Sequence, residues 1–261
     1  MSMSAFVAFD NVSLAYDSSG NAIEEIDLAI HEGEFVAFVG PSGCGKSTFM
    51  KLCTGLHAPT AGSIQVDGQP VTGPLKIAGM AFQHANLLPW RTTLDNVLLP
   101  LEIVEPYRRQ FRKRRAEFVG WARTLLETVG LAGYEDQYPW QLSGGMQQRA
   151  SICRALIHRP RLLMLDEPFG ALDAFTREEL WCVLRDLWEA QRFTVVLVTH
   201  DLREAAFLAD TVYVMSRRPG RVIEQRTIDL PRPRPLEITY DKPFIDLVHE
   251  LRARIGDIRS A

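Results

Sequence analysis

Gly40-Pro41-Ser42-Gly43-Cys44-Gly45-Lys46-Ser47 is the stretch that decides the fold class of this chain. It satisfies the pattern GxxxxGK[ST] without a mismatch. The β-branched and aromatic run Phe35-Val36-Ala37-Phe38-Val39 precedes it, and a helix-forming stretch over about 46–53 follows, which is the context the pattern requires. Each residue type has a chemical reason. Glycines let the backbone approach a phosphate and turn several N–H groups inward. The following helix, beginning Lys46-Ser47-Thr48, aims its positive dipole end at the same anion. Lys46 then reaches the β- and γ-phosphates of a nucleotide, and the Ser47 hydroxyl ligates Mg2+. By itself the loop states "nucleotide phosphate binder" and nothing narrower.

Working outward, residues 6–14 and 23–30 are apolar or alternating runs separated by the turn formers Ser18-Ser19-Gly20-Asn21, which predicts a β-hairpin. Residues 63–71 predict another, with Asp67-Gly68 as its turn. From 94 to 157 the pattern becomes helical: Phe111, Phe118, Ala122, Leu125 and Val129 recur at helical spacing and Gly130 supplies a stop. Residues 162–165 read as a buried strand, 176–190 as a helix and 195–199 as the next strand. The next helix starts at Asp201, with Glu204 completing a capping box, and 211–215 form a late strand. Strands alternating with helices imply a parallel sheet covered on both faces, interrupted by an inserted helical subdomain. Pro231-Arg232-Pro233-Arg234-Pro235 reads as a stiff linker, and 243–258 as a short terminal helix.

The composition suits an ordinary globular protein: 261 residues, 46% hydrophobic and 23% charged. With 29 Lys and Arg against 32 Asp and Glu, the net charge of −3 makes no global case for nucleic acid. None of the four cysteines, Cys44, Cys53, Cys153 and Cys182, sits in a CxxC pair, so neither a zinc site nor a redox dithiol is expected. Residues 1–10 lack the basic start and long apolar core of a signal peptide, and the apolar runs fall far short of the ~20 residues of a membrane helix. A cytosolic chain is expected, with any membrane role exercised through a partner.

Leu162-Leu163-Met164-Leu165 ends in Asp166-Glu167-Pro168. Adjacent carboxylates at the end of a buried strand are costly unless they meet charge, which a magnesium nucleotide provides. Asp166 would then hold Mg2+ or its water shell, and Glu167 would orient and deprotonate the attacking water. Taken alone, the same tripeptide also suits a helix N-cap. His200 stands at the end of the 195–199 strand. Carboxyl ends of parallel strands are where such sheets bind ligands, so it should face the γ-phosphate, although a lone histidine there is more often a surface residue. Gln83 follows Met80-Ala81-Phe82 and could touch Mg2+ or water.

Leu142-Ser143-Gly144-Gly145-Met146-Gln147-Gln148-Arg149 is a second anion site. Ser143 reads as an N-cap, and the glycines leave backbone amides bare at the helix start. In this octet the sequence resembles the signature motif of ABC ATPases, and the other motifs stand in that family's order. Tyr16 matches the aromatic residue that stacks on adenine, Gly40 to Ser47 the Walker A loop, Gln83 the Q-loop, and 162–167 Walker B with its glutamate. Ala171-Leu172-Asp173 matches the D-loop and His200 the switch histidine. The similarity covers roughly 5–225: a core of 5–85 and 158–225 with a helical subdomain at 86–157, and residues 226–261 as linker and tail.

The resemblance implies an α/β P-loop NTPase fold, with a RecA-like parallel-sheet core, an antiparallel β-subdomain and a helical subdomain carrying the signature. It also implies two copies packed head to tail. Ser143, Gly144, Gly145 and Gln147 of one chain would then contact ATP held by Gly40, Pro41, Ser42, Gly43, Cys44, Gly45, Lys46, Ser47 and Thr48 of the other. Ser47, Gln83 and Asp166 would be the Mg2+ ligands, and Glu167, His200, Gln83 and Lys46 the catalytic set. Leu87-Leu88-Pro89-Trp90, Phe169 to Asp173 and Ser216 to Gly220 look like the nitrate/sulfonate/taurine importer branch. That branch implies a membrane permease and an exported solute-binding protein as partners. Arg108 to Arg115 is a basic run, read as a solvated helix face with Phe111 turned inward, or as a contact for anionic lipid. A soluble ABC ATPase acting on nucleic acid or the ribosome is the alternative. No aromatic stacking platform accompanies the basic run, and no nucleic-acid partner is expected.

Overall fold

The computed structural model describes residues 5–16 and 20–260, with side chains to 256. The turn formers Ser18 and Ser19 lie outside the described residues. In chain order the elements are β1 (Val7–Ala15), β2 (Asn21–Ile30), β3 (Phe35–Val39), α1 (Lys46–Cys53), β4 (Ala61–Val66), β5 (Gln69–Pro70), β6 (Ala78–Phe82), α2 (Thr93–Ile103), α3 (Tyr107–Gln110), α4 (Arg115–Thr128), α5 (Gly144–Leu156), β7 (Leu162–Asp166), α6 (Ala174–Gln191), β8 (Thr194–Val198), α7 (Leu202–Leu208), β9 (Thr211–Met215), β10 (Val222–Thr227) and α8 (Lys242–Ser260). They fall into two compact units, one of residues up to 75 and from 189 onward, the other of residues 76–188.

In the first unit, β3 lies between β8 and β9 and runs parallel to both, while β10 adds an antiparallel edge to β9. Every residue of β3, β8 and β9 is buried, as strands covered on both faces require. An antiparallel sheet ordered β2-β1-β4-β5 completes the unit's strands. Asp67 and Gly68 both take positive φ, 54° and 69°, which makes the β4–β5 connection a tight primed turn. A column of rings ties the two sheets together. Phe9 of β1 stacks on Phe49 of α1 at 4.8 Å, Phe49 meets Phe38 of β3 at 4.1 Å, and Phe38 stacks on Tyr213 of β9 at 4.9 Å. The helix that begins at the phosphate loop is thereby fixed from both sides by apolar burial, about 2–3 kcal/mol for a ring such as Phe49.

Three features of this unit differ from the expectation. The Pro231–Pro235 stretch, expected as a stiff linker, is also fastened to the fold: Arg232 donates to Asp210 Oδ1 at 2.8 Å, and Asp210 in turn accepts the Phe35 amide. Arg234, 1% exposed, donates to the carbonyls of Ala206, Phe207 and Ala209. Burial lowers its pKa to about 10, yet it is still charged at neutral pH and carries its own solvation shell of carbonyls. The terminal helix spans 19 residues and is not short. The edge strand β10 has no counterpart in the sequence reading, because its exposed residues give a weak alternation.

In the second unit β6 and β7 pair in parallel, with Phe82 opposite Asp166. Helix α5 lies against β6 so closely that a Cβ on Gly79 would sit 2.1 Å from the Ala155 carbonyl, which is why that strand carries a glycine. Helices α2 and α4 pack on α5. Tyr107, Phe118 and Trp121 form an edge-to-face cluster; Phe111 lies in the turn between α3 and α4 rather than on the helix its spacing implied, and from there it stacks on Phe118 at 6.0 Å. In the basic run Arg114 pairs with Glu117, Arg115 with Asp95 and Arg109 with Glu105.

Candidate functional site

The phosphate loop bridges β3 and α1 in the first unit. Gly43 and Gly45 adopt φ of 78° and 101°, the left-handed region that a side chain disfavours. A Cβ on Gly40 would lie 2.9 Å from the Met215 carbonyl, so the loop is seated on β9. Lys46 is only 6% exposed, and its ammonium donates to the Gly40 and Pro41 carbonyls at 2.9 and 3.0 Å. That holds the charge inside the curve of the loop. Cys44 is buried under it, and burial raises its thiol pKa even though Lys46 pulls it down. It is a neutral packing residue, not a nucleophile.

Ser42, Gly43 and Ser47 are exposed on the loop. His200, also exposed, lines the same cavity as Gly40 and Ser42, which places the end of β8 beside the loop. Tyr16, half exposed, joins its hydroxyl to Thr48 Oγ1 at 3.1 Å and meets His57 edge-on. Asp201 caps α7 by accepting the Arg203 and Glu204 amides. Glu204 does not close the capping box; its Oε2 accepts instead from the Thr199 hydroxyl at 3.0 Å, bracing the residue before His200.

The second unit carries the acids. Asp166 ends β7, half-buried, and Glu167 follows at φ 47°, a strained conformation for a non-glycine residue costing about 1–3 kcal/mol. Gln83 stands one residue past Phe82, which faces Asp166 in the ladder. A Cβ on Gly170 would lie 3.2 Å from the Gln83 amide and 3.5 Å from the Glu167 carbonyl, so the glutamine reaches the turn that carries the glutamate.

At the start of α5, Ser143 is extended and its hydroxyl accepts the Met146 amide at 3.3 Å. The Gly144 and Gly145 amides have no acceptor within the helix. Gly144 is open to solvent, whereas a Cβ on Gly145 would meet Thr176 Cγ2 at 2.5 Å. The Gln147 amide is engaged elsewhere, donating to the Pro139 and Leu142 carbonyls at 3.0 and 3.2 Å and tightening the turn that presents Ser143. Two neighbours escaped the sequence reading. Buried Gln148 donates to Phe82 O at 2.8 Å, and Arg154 donates to the carbonyls of Ala85 and Asn86. Together they wire the helix of the serine-glycine turn to the segment holding Gln83. Gly145, Gln148 and Ser151 share one buried face of α5 at i, i+3 spacing, but no local feature of the sequence marks either contact.

Among the described residues no three His, Cys, Asp or Glu side chains gather into a metal cage. No helix among the described residues is long and apolar enough to cross a membrane.

A model of the ABC transporter family matches residues 23–170. An aliphatic sulfonates import ATP-binding protein of Bacillus licheniformis is 44% identical over 214 residues, 82% of this chain and 80% of the relative. A nitrate import ATP-binding protein of Synechococcus elongatus is 42% identical over 242 residues, 91% and 86% of the two chains. Among solved structures, a dimeric post-hydrolysis state of the ATP-binding cassette MJ0796 bound to ADP and Pi superposes with a TM-score of 0.69 at 33% identity, covering 86% of this chain and all of that one. With a lysine-filled phosphate loop, a strained glutamate after an acidic strand end and a capped serine-glycine turn on one chain, the protein belongs to the ABC transporter family, as an ATP-binding cassette with ATPase activity.

Proposed function

We propose that this chain hydrolyses MgATP as one of two identical subunits beneath a membrane permease, and so powers the uptake of a small anionic solute of the nitrate, sulfonate or taurine kind. It would sit peripherally on the cytoplasmic face, with an exported binding protein delivering the solute and no nucleic acid involved. Relatives named for nitrate and sulfonate import support the solute class. Exposed Trp90 and Ile103, 71% and 62% accessible, support a docking surface for the permease after the Q-loop. The loop bearing Trp90 is pinned by Asn96, which bonds Leu88, Arg91 and Thr92, and by the fork between Arg91 and Glu102.

One observation carries the two-subunit reading: the Gly144 and Gly145 amides at the start of α5 lack an intrahelical acceptor, and the turn Leu142–Met146 contains neither a lysine nor a carboxylate. It is a half-site that completes a phosphate already held by another copy's Lys46. In the cleavage step Glu167 takes a proton from water as that water attacks the γ-phosphorus, Gln83 positions the water, and His200 holds a γ-oxygen. Lys46 balances charge that develops on the bridging oxygen. Tyr16 stacks on adenine. Ser47, Asp166 and Gln83 would hold Mg2+, which supplies charge neutralisation across the β- and γ-phosphates when bound. Cleavage removes the anion shared between the copies, and the dimer loosens by the differential affinity that phosphate had supplied.

Glu167→Gln tests this reading. The variant keeps the shape and loses the base, so turnover should fall at least about a hundredfold, and ATP should drive it into a stable dimer measurable by light scattering after size exclusion. A variant that remains monomeric at saturating ATP sinks the shared-phosphate reading.

A further inference from the structure

A cavity of about 640 Å3 in the first unit is lined on one side by Gly40 and Ser42 of the phosphate loop and by His200–Arg203. Its other wall is the terminal helix: Val248, Arg252, Ile255 and Gly256. Val248, Arg252 and Ile255 are spaced i, i+4, i+7 and so share one face of α8. The face beside it is buried, with Phe244, Leu247 and Leu251 at 1%, 9% and 2% exposure. Two ion pairs to β10, Arg226 with Glu250 at 3.0 Å and Arg254 with Glu224 at 3.4 Å, fix the helix rotation that presents Arg252 to the cavity. Arg252 itself is exposed, and no described residue pairs with it.

The charge of this space favours an anion. Its ionisable lining comprises His200, Asp201, Arg203 and Arg252, and the one carboxylate, Asp201, is occupied by the two amides it caps. The volume far exceeds the ~30 Å3 of a single water and lies in the range of small-molecule sites. A guanidinium matches two oxygens of a tetrahedral phosphate with parallel N–H groups, which a lysine cannot do.

We infer that α8, outside the region that carries the family's motifs, contributes a further anion-binding residue: Arg252 holds a terminal phosphate on the far side of the phosphate loop. The anion is either the γ-phosphate of bound nucleotide or the phosphate released from it. This rests on the reading of Gly40 to Ser47 as the nucleotide site. It also gives the fastened linker a purpose, since Arg232 and Arg234 anchor the chain that leads into α8.

The test uses the full chain with Arg252→Ala, Arg252→Lys and, as a control on the underlying site, Lys46→Ala. Calorimetry measures ADP, an ATP analogue with an imido β–γ bridge, and inorganic phosphate added to the ADP complex. Arg252→Ala should leave ADP affinity within twofold and lower the affinity for the analogue, for phosphate in the presence of ADP, or for both, by about tenfold, the size of one charge-assisted contact. The analogue arm assigns Arg252 to the γ-phosphate and the phosphate arm to the product. Arg252→Lys should recover part of the loss. If both arms stay within twofold while Lys46→Ala loses nucleotide, Arg252 has no such role and the nucleotide site stands. If Arg252→Ala binds the analogue more tightly, α8 obstructs the site and the inference is overturned. If Lys46→Ala also binds normally, the nucleotide site itself is misplaced.

Discussion

The phosphate loop and the serine-glycine turn are both helix starts whose first amides lack intrahelical acceptors, yet they are built on opposite plans. At α1 the N-cap is Gly45 at φ 101°, with no side-chain cap, and the buried Lys46 ammonium is bolted to the Gly40 and Pro41 carbonyls. Charge, dipole and curvature are all supplied by one peptide, so the loop can hold an anion alone. At α5 the N-cap is an extended Ser143 whose hydroxyl serves the Met146 amide, and no cation stands in the turn. Donors without charge bind a free, hydrated phosphate weakly. They gain strength against a phosphate already desolvated and neutralised by something else. On the proposed reading the first site is complete and the second selective, so that ATP would bridge two copies rather than serve one.

Breaking the complete site should have the largest effect. Lys46→Ala removes the cation and the two bonds that hold the loop closed, so ATP affinity should fall about a hundredfold or more, by calorimetry. An affinity within threefold of the parent would show that the loop is not the nucleotide site. Breaking the selective site should separate binding from turnover. Gly145→Ala drives a methyl to 2.5 Å from Thr176 Cγ2, shifting the amides of the turn, while Gly144→Ala meets open space. The isolated subunit should bind ATP as before, with turnover reduced about ten- to a hundredfold for Gly145→Ala, since misplacement by an ångström costs on that order. Thr176→Ser in the same chain removes the obstructing methyl and keeps the hydroxyl bonded to Asp173, so it should restore much of the rate. Failure to restore it would place the defect elsewhere than at this contact.

Both motifs were legible in the sequence because each is local: a loop or cap needs particular residues at fixed offsets, whatever surrounds it. Strands β3, β7, β8 and β9 were legible for the same reason, being short apolar runs bounded by turn formers. What the sequence hid is long-range. Nothing local marks Gln148 as the partner of Phe82 O, 66 positions away, or Arg234 as the plug of a carbonyl cluster. Both are polar residues that burial makes structural, against their usual place at the surface. Glu204 had the spacing of a capping box, but the Thr199 hydroxyl competes for its carboxylate and wins. The positive φ at Glu167 is likewise invisible to pattern, since nothing in the residue type requires it.

A small effect on stability, set against turnover, probes whether Ser143 is a cap, an anion ligand or both. Ser143→Ala deletes the acceptor of the Met146 amide, a loss of about 1 kcal/mol that should lower Tm by about 2–4 °C. Ser143→Asp keeps an acceptor and adds negative charge at the start of α5, which favours the helix dipole, so Tm should hold or rise slightly. The same carboxylate would face the phosphate of a neighbouring copy, and like charges there oppose the closed dimer. A cap alone therefore predicts that turnover follows stability, with aspartate the better residue. The half-site predicts the reverse order: alanine loses little rate, and aspartate loses nearly all of it while remaining the more stable protein. Melting curves and ATPase rates measured on the two variants side by side decide between them, because stability and turnover move in opposite directions only when the hydroxyl sits where a shared anion must bind.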